Sequence, residues 1–285
     1  MPKDRAYWQG RKQAGTPIVM ATCYDYPTAC IEEEAGVDVI FVGDSVGTNM
    51  LGYESESEVT LADMLHHLKA VRRGVREAYL LVDLPYQTYS TPDLALRNAR
   101  LLCENGADAV KLEGGSALAP VVRALVADGI EVCGHIGFTP QTLGSKGRIQ
   151  GRSLRDGQTL LRSALDLQEA GLSMLVLELI SEPISQLVTE QLSIPTIGIG
   201  AGRFCDGQVL VVTDLLGISP FERKIARRYE HLRERSREAL TRYAHEVRDH
   251  IFPDESNAFY KISPDEVAQL QEWLRQGMPD ADLPS

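Results

Sequence analysis

Three acidic residues, Asp44, Asp83 and Glu113, each stand at the downstream end of a short apolar run: Val-Ile-Phe-Val-Gly-Asp44-Ser, Tyr-Leu-Leu-Val-Asp83-Leu-Pro and Ala-Val-Lys-Leu-Glu113-Gly-Gly. A buried strand that ends on a carboxylate pays a desolvation cost unless the charge is paired or holds a cation. Any one of these acids could cap the helix that follows its strand or join a surface ion pair. Three on successive runs point instead to one rim, where oxygen ligands suit a hard divalent cation. Lys111 stands two residues before Glu113, so the pleat sends both side chains to one face.

Two further residues extend the set. His135 ends the run Val-Cys-Gly-His135-Ile-Gly and could serve as ligand, acid–base group or hydrogen-bonding partner of a substrate oxygen. Glu178 lies in Met-Leu-Val-Leu-Glu178-Leu-Ile, a lone carboxylate among apolar neighbours, which suits a general base; the competing reading is a buried ion pair. A hard metal, a lysine, a histidine and a poised glutamate together suit activation of a 2-oxo acid. Oxygen coordination acidifies the adjacent carbon, a base removes its proton, and Lys111 balances the developing negative charge.

Such a group needs strands that all end at one rim. Strand-like runs are expected at 18–23, 39–43, 79–84, 109–112, 131–136, 174–179, 196–200 and 209–213, nearly continuous in apolar residues as parallel strands covered on both faces are. Amphipathic segments alternate with them, for example 60–74, 92–106, 154–171 and 184–192. About eight β-then-α units predict an α/β chain, a single (β/α)8 TIM barrel, with extra C-terminal helices. Residues 221–250 read as one or two long helices packed on that barrel, and Ser263-Pro-Asp-Glu266 as the cap of a final helix before a mobile polar tail. The expected division is a catalytic domain over 1–252 with its C-terminal helices, and an extension over 253–285. Gly198-Ile-Gly-Ala-Gly202 is followed by Arg-Phe-Cys-Asp rather than a helical pattern, so its glycines serve a tight turn or close approach, not dinucleotide binding.

The chain of 285 residues has a formal net charge of −11, which argues against a general nucleic-acid binder. It has no apolar run of membrane-spanning length and no signal-peptide core. The five cysteines form no Cys-x-x-Cys pair, and Cys23 and Cys133, inside apolar runs, read as small buried thiols; the chain reads as reduced and cytoplasmic.

Several motifs in order resemble one family. Val42-Gly-Asp44-Ser45-Val-Gly, Val59-Thr60 through His67 to Ala70-Val-Arg-Arg-Gly74, Asp83-Leu-Pro85, Val110-Lys111-Leu-Glu113-Gly-Gly, Gly134-His135-Ile-Gly-Phe-Thr-Pro-Gln141 and Ile197-Gly-Ile-Gly-Ala-Gly202 with Asp206-Gly-Gln208 look like ketopantoate hydroxymethyltransferase. The resemblance implies transfer of a one-carbon unit from 5,10-methylenetetrahydrofolate to 3-methyl-2-oxobutanoate, with Mg2+, on the route to pantothenate. It implies that Asp44, Asp83 and Glu113 surround the metal, that Asp44, Ser45, Asp83 and Lys111 hold the oxo acid, and that Glu178 accepts the proton, with His135 and Lys111 beside it. It also implies a homo-oligomer, a decamer. Departures from the family pattern fall at Glu56-Ser57-Glu58, in a short segment over 143–148 and at Asn257-Ala258-Phe259. The alternatives are a Mg-dependent carbon–carbon lyase of the phosphoenolpyruvate mutase and isocitrate lyase type, whose Lys-Lys-Cys-Gly-like motif is missing here, and a non-catalytic barrel paralogue.

Overall fold

The structure is a computed structural model that describes residues 3–144, 147–259 and 262–277. The polar tail beyond 277 and residues 145 and 146 of the short 143–148 segment lie outside the described residues. Eight strands, β1 (Ile18–Thr22), β2 (Val39–Val42), β3 (Tyr79–Asp83), β4 (Ala109–Glu113), β5 (Glu131–Gly137), β6 (Met174–Glu178), β7 (Thr196–Ile199) and β8 (Gly207–Leu210), form a closed barrel in chain order. Every pairing is parallel, and β8 closes on β1 with Met20 opposite Val209. This is the expected (β/α)8 barrel.

The helices are α1 (Arg5–Gln13), α2 (Tyr26–Glu34), α3 (Leu61–Arg72), α4 (Pro92–Glu104), α5 (Ala119–Ala127), α6 (Pro140–Leu143), α7 (Leu154–Ala170), α8 (Glu182–Gln191), α9 (Val212–Leu215), α10 (Leu232–Arg248) and α11 (Pro264–Arg275). Their starts follow local chemistry. Thr60 and Asp63 form a capping box at α3, and Ser263 and Glu266 form the expected one at α11. Thr91 caps α4 with Pro92 at its first position.

Strand alternation sorts the side chains into two clusters. Val82, Val110, Val132 and Leu177 face the helices, whereas Tyr79, Leu81, Ala109, Cys133, Met174 and Val176 fill the barrel. The N-terminal helix α1 seats Trp8, fully buried, among these interior residues, with its ring edge-on to Tyr79 at 5.1 Å. Tyr79 begins β3, so Trp8 seals the end of the barrel where the strands start.

Two expectations need correction. The last strand runs over Gly207–Leu210, two residues earlier than expected, and Val212–Leu215 turns into a helix. Gly207 is needed there because a Cβ would meet the Ile18 carbonyl at 2.4 Å, a close strand approach that a glycine disguises in the sequence. The helix expected from 221 begins only at Leu232, because the preceding residues fold back: Tyr229 N–H donates to Leu215 O, and Arg228 donates to the carbonyls of Ser219 and Phe221. Contacts divide the chain into Met1–His231, which holds the barrel, and Leu232–Ser285. Helix α10 in the second unit has no buried residue. No helix among the described residues is long and apolar enough to cross a membrane.

Candidate active site

The alternation that fills the barrel with Leu81, Ala109 and Val176 places the next inward positions at the strands' C-terminal ends. Those positions are Asp83 on β3, Lys111 and Glu113 on β4, His135 on β5 and Glu178 on β6. Register sets them side by side: Asp83 opposite Lys111, Glu113 opposite His135, and Gly137 opposite Glu178. Asp44 joins from just beyond β2, where its N–H donates to Asp83 Oδ2 at 2.9 Å. The sequence-predicted residues therefore share one rim. Ser45 follows Asp44, with its hydroxyl 2.8 Å from the Tyr24 hydroxyl.

The rim is dry. Asp44, Asp83, Lys111, Glu113 and His135 are each between 1% and 7% exposed. Lys111 Nζ donates to Asp83 Oδ1 at 2.8 Å and lies 5.3 Å from the centre of the Phe41 ring below it. Burial opposes the ammonium charge, but Asp83, Glu113 and Asp44 outweigh it and raise the pKa of Lys111. For the acids the balance is reversed. Burial, reinforced by Asp83, pushes Asp44 up to about 7 against the pull of Lys111 and Gln141. Burial pushes Glu113 up to about 9 although Lys111 favours its charge. Three carboxylates against one ammonium leave a deficit of positive charge that protons or a cation must fill.

His135 stands between two acids, with Nε2 3.3 Å from Glu178 Oε2 and Nδ1 3.7 Å from Glu113 Oε2. Burial, then the nearby Lys111 charge, lowers its pKa, so the ring is neutral. Glu178 is not surrounded by apolar side chains alone: the pleat turns it to the lumen, its side chain is 18% exposed, and it lies 3.3 Å from His135 Nε2, close by but without a formed hydrogen bond. The backbone beside it is held tightly. Leu179 adopts φ +48°, a left-handed conformation costly for a leucine, and only glycine suits position 137, where φ is +103° and a Cβ would sit 2.2 Å from the Glu178 carbonyl.

Two residues of the rim carried no assignment from the sequence. Gln141 on α6 donates from Nε2 to Asp44 Oδ2 at 2.7 Å, and the Tyr89 hydroxyl bonds both Gln141 Oε1 and the Glu113 carbonyl. A third, His67 on α3, places Nδ1 2.6 Å from the Tyr24 carbonyl, behind the Tyr24–Ser45 contact. Both Gln141 and His67 fall inside motifs quoted above; only their spatial partners disclose what they hold.

As they stand, no three Asp, Glu, His or Cys side chains among the described residues are grouped as a metal cage, and Asp83 spends its oxygens on Lys111 and the Asp44 N–H. The donor set nonetheless fits a hard divalent cation in charge and type. Glu113 Oε2 is buried without a hydrogen-bond partner, and the charge deficit is the one such an ion would fill. Beside the rim, on the Thr139 and Thr142 side of α6, opens a cavity of about 400 Å³ lined by Gly114, Gly115, Thr139, Asp156 and Ser163 among others, with no lysine or arginine.

The sequence pattern of the ketopantoate hydroxymethyltransferase family matches residues 5–255. The chain is 49% identical over 253 residues to a 3-methyl-2-oxobutanoate hydroxymethyltransferase of Thermus thermophilus, covering 87% of this chain and 97% of that one. It is 49% identical over 260 residues to the protein of the same description from Deinococcus radiodurans, covering 89% and 91%. Among solved structures, a phosphonopyruvate hydrolase in complex with oxalate and Mg++ superposes with a TM-score of 0.60 at 12% identity, over 97% of both chains. A 2,3-dimethylmalate lyase superposes with a TM-score of 0.57 at 13% identity, over 96% of this chain and 97% of that one. At such identities the structural likeness speaks for the fold.

Proposed function

The chain belongs to the ketopantoate hydroxymethyltransferase family, and on that footing we infer that it is an enzyme adding a one-carbon unit to C3 of 3-methyl-2-oxobutanoate to give 2-dehydropantoate, in pantothenate biosynthesis. The observation that carries the reading at residue level is the rim itself: a charged, buried Lys111 beside Asp83, with neutral His135 touching Glu178.

Asp44, Asp83 and Glu113 are the residues that would hold Mg2+. That ion, when bound, polarises the oxo acid's oxygens and so acidifies C3. Lys111 offers its ammonium to the substrate's carboxylate or to the oxygen that becomes negative as C3 is deprotonated. Ser45 and the Asp44 backbone, next to Gly43, allow close contact with the oxo acid. Glu178 takes the C3 proton, and His135, neutral and 3.3 Å away, orients that carboxylate. The carbon then bonds to the one-carbon unit of 5,10-methylenetetrahydrofolate as that unit's bonds to N5 and N10 break; water supplies the hydroxyl, the C3 proton and the remaining water proton end on the two nitrogens, and tetrahydrofolate leaves.

Incubation with Mg2+, 5,10-methylenetetrahydrofolate and a panel of 2-oxo acids should yield a hydroxymethylated product from 3-methyl-2-oxobutanoate. Pyruvate or glyoxylate released without folate would instead favour lyase chemistry. Glu178→Gln should slow exchange of the C3 proton for deuterium by roughly 10²–10⁴-fold, the usual worth of a general base, while metal binding stays near normal. Unchanged exchange would move the base to His135. We place the protein in the cytoplasm as a homo-oligomer, a decamer by family. The exposed Leu240, Tyr243 and Val247, spaced along one face of α10, offer apolar surface for assembly. Sedimentation velocity would reveal a monomer if that is wrong.

A further inference from the structure

Gln141 reaches from the loop after β5 to an acid that follows β2, so one side chain spans the strand ends between them. It is 4% exposed, and each of its polar groups is spent at the rim. Nε2 donates to Asp44 Oδ2 at 2.7 Å and to the Leu84 carbonyl at 3.2 Å. Its backbone N–H donates to Glu113 Oε1 at 3.3 Å. Its Oε1 accepts from the Tyr89 hydroxyl, which also lies 3.2 Å from the Glu113 carbonyl. Because the Leu84 carbonyl can only accept, the amide has one workable orientation, with NH2 toward Asp44.

Asp44 needs such a partner. It lies past the end of β2, outside the ladder that fixes Asp83, Lys111 and Glu113, and Gly43 before it brings no side chain to pack against its carboxylate. A buried carboxylate with a loose rotamer would be a poor ligand, since fixing it would then cost ordering entropy at every binding event. The one-turn helix α6 supplies the fixture: its Gln141 faces the rim, while Thr139 and Thr142 hydrogen-bond each other on the cavity side.

We propose that Gln141, oriented by Tyr89, is a positioning residue whose side chain holds the Asp44 carboxylate, beside the Glu113 carboxylate that its backbone N–H meets, in the arrangement that receives the divalent cation. This rests on the reading that those acids bind the cation. Outer partners of metal ligands typically contribute roughly 10–100-fold in metal affinity.

The test is Mn2+ binding without substrate, followed by calorimetry and by electron paramagnetic resonance of the free ion, on the full chain with Tm measured alongside. Wild type should bind and Asp83→Ala should not; if wild type fails to bind, the cation reading falls and this inference with it. Given binding by wild type, Gln141→Ala should weaken Mn2+ by roughly 10–100-fold. Tyr89→Phe, which keeps the ring, should weaken it by a smaller factor in the same direction, and kcat at saturating metal should recover more fully than the metal affinity does. Lowered Tm with Mn2+ affinity within twofold of wild type in the folded variants would mark both residues as merely structural and overturn the proposal. Should Gln141→Ala fail to fold, Tyr89→Phe alone decides.

Discussion

Lys111 and Asp83 form a buried pair whose value lies in both members being present. Their side chains are 5% and 1% exposed, so removing the ammonium leaves a carboxylate with only the Asp44 N–H and no counter-charge. Lys111→Met should cost about 3–5 kcal/mol in denaturant unfolding, and Lys111→Met with Asp83→Asn should regain part of that stability without regaining oxo-acid binding. An additive result would show that the two side chains do not depend on each other. The acids of this rim were legible in the sequence because each interrupts an apolar strand run, and the two-residue spacing of Lys111 and Glu113 fixed their common face. Gln141 and Tyr89 were not, because neither a one-turn helix nor a loop has enough periodicity to give a side chain a direction. The polar neighbour of Glu178 was hidden for a related reason: the sequence displays its neighbours along β6, whereas His135 approaches from β5.

At the scale of elements, the helix after β1 carries a cost of its own. Glu32 on α2 is 5% exposed, and neither carboxylate oxygen has a hydrogen-bond partner. Burial pushes it up to about 8, with Cys23 opposing and Asp25 adding to the shift. A carboxyl raised in the folded state stabilises the fold below its unfolded value, near 4.5, and that contribution is lost as pH rises through about 8. Relative to wild type, Glu32→Gln should therefore gain stability with increasing pH, reaching a few kcal/mol near pH 8. Equilibrium unfolding of both proteins at pH 5 and pH 8 measures this, and a difference that does not grow would mean that the carboxyl finds a partner. Element boundaries show where sequence patterns lose their hold. Strands β1 to β7 begin where the apolar runs begin, but β8 opens with Gly207-Gln208, residues that strand patterns disfavour and that only the approach of the Ile18 carbonyl explains. Near the C-terminus, helical spacing continues back through 221, yet carbonyl contacts from Arg228 and the Tyr229 N–H hold that stretch against the turn after α9.

Across the barrel as a whole, the proposed chemistry and a large part of the packing occupy opposite ends. The rim acids lie where strands finish, and Trp8, wholly buried, closes the end where they begin. Trp8→Ala should lose about 3–5 kcal/mol of stability, seen as a lower Tm. The kcat of the molecules that remain folded should change by less than a few-fold, and a kcat that collapsed with Tm well retained would contradict the division. The seal at Trp8 has a kinetic consequence. With the floor shut by Trp8 and the lumen above it filled by Tyr79, Leu81, Cys133, Met174 and Val176, the rim acids can be approached only from the side where the strands finish. On the chemistry proposed above, both reactants then share that one approach, and steady-state inhibition patterns that report a compulsory order of addition would check it.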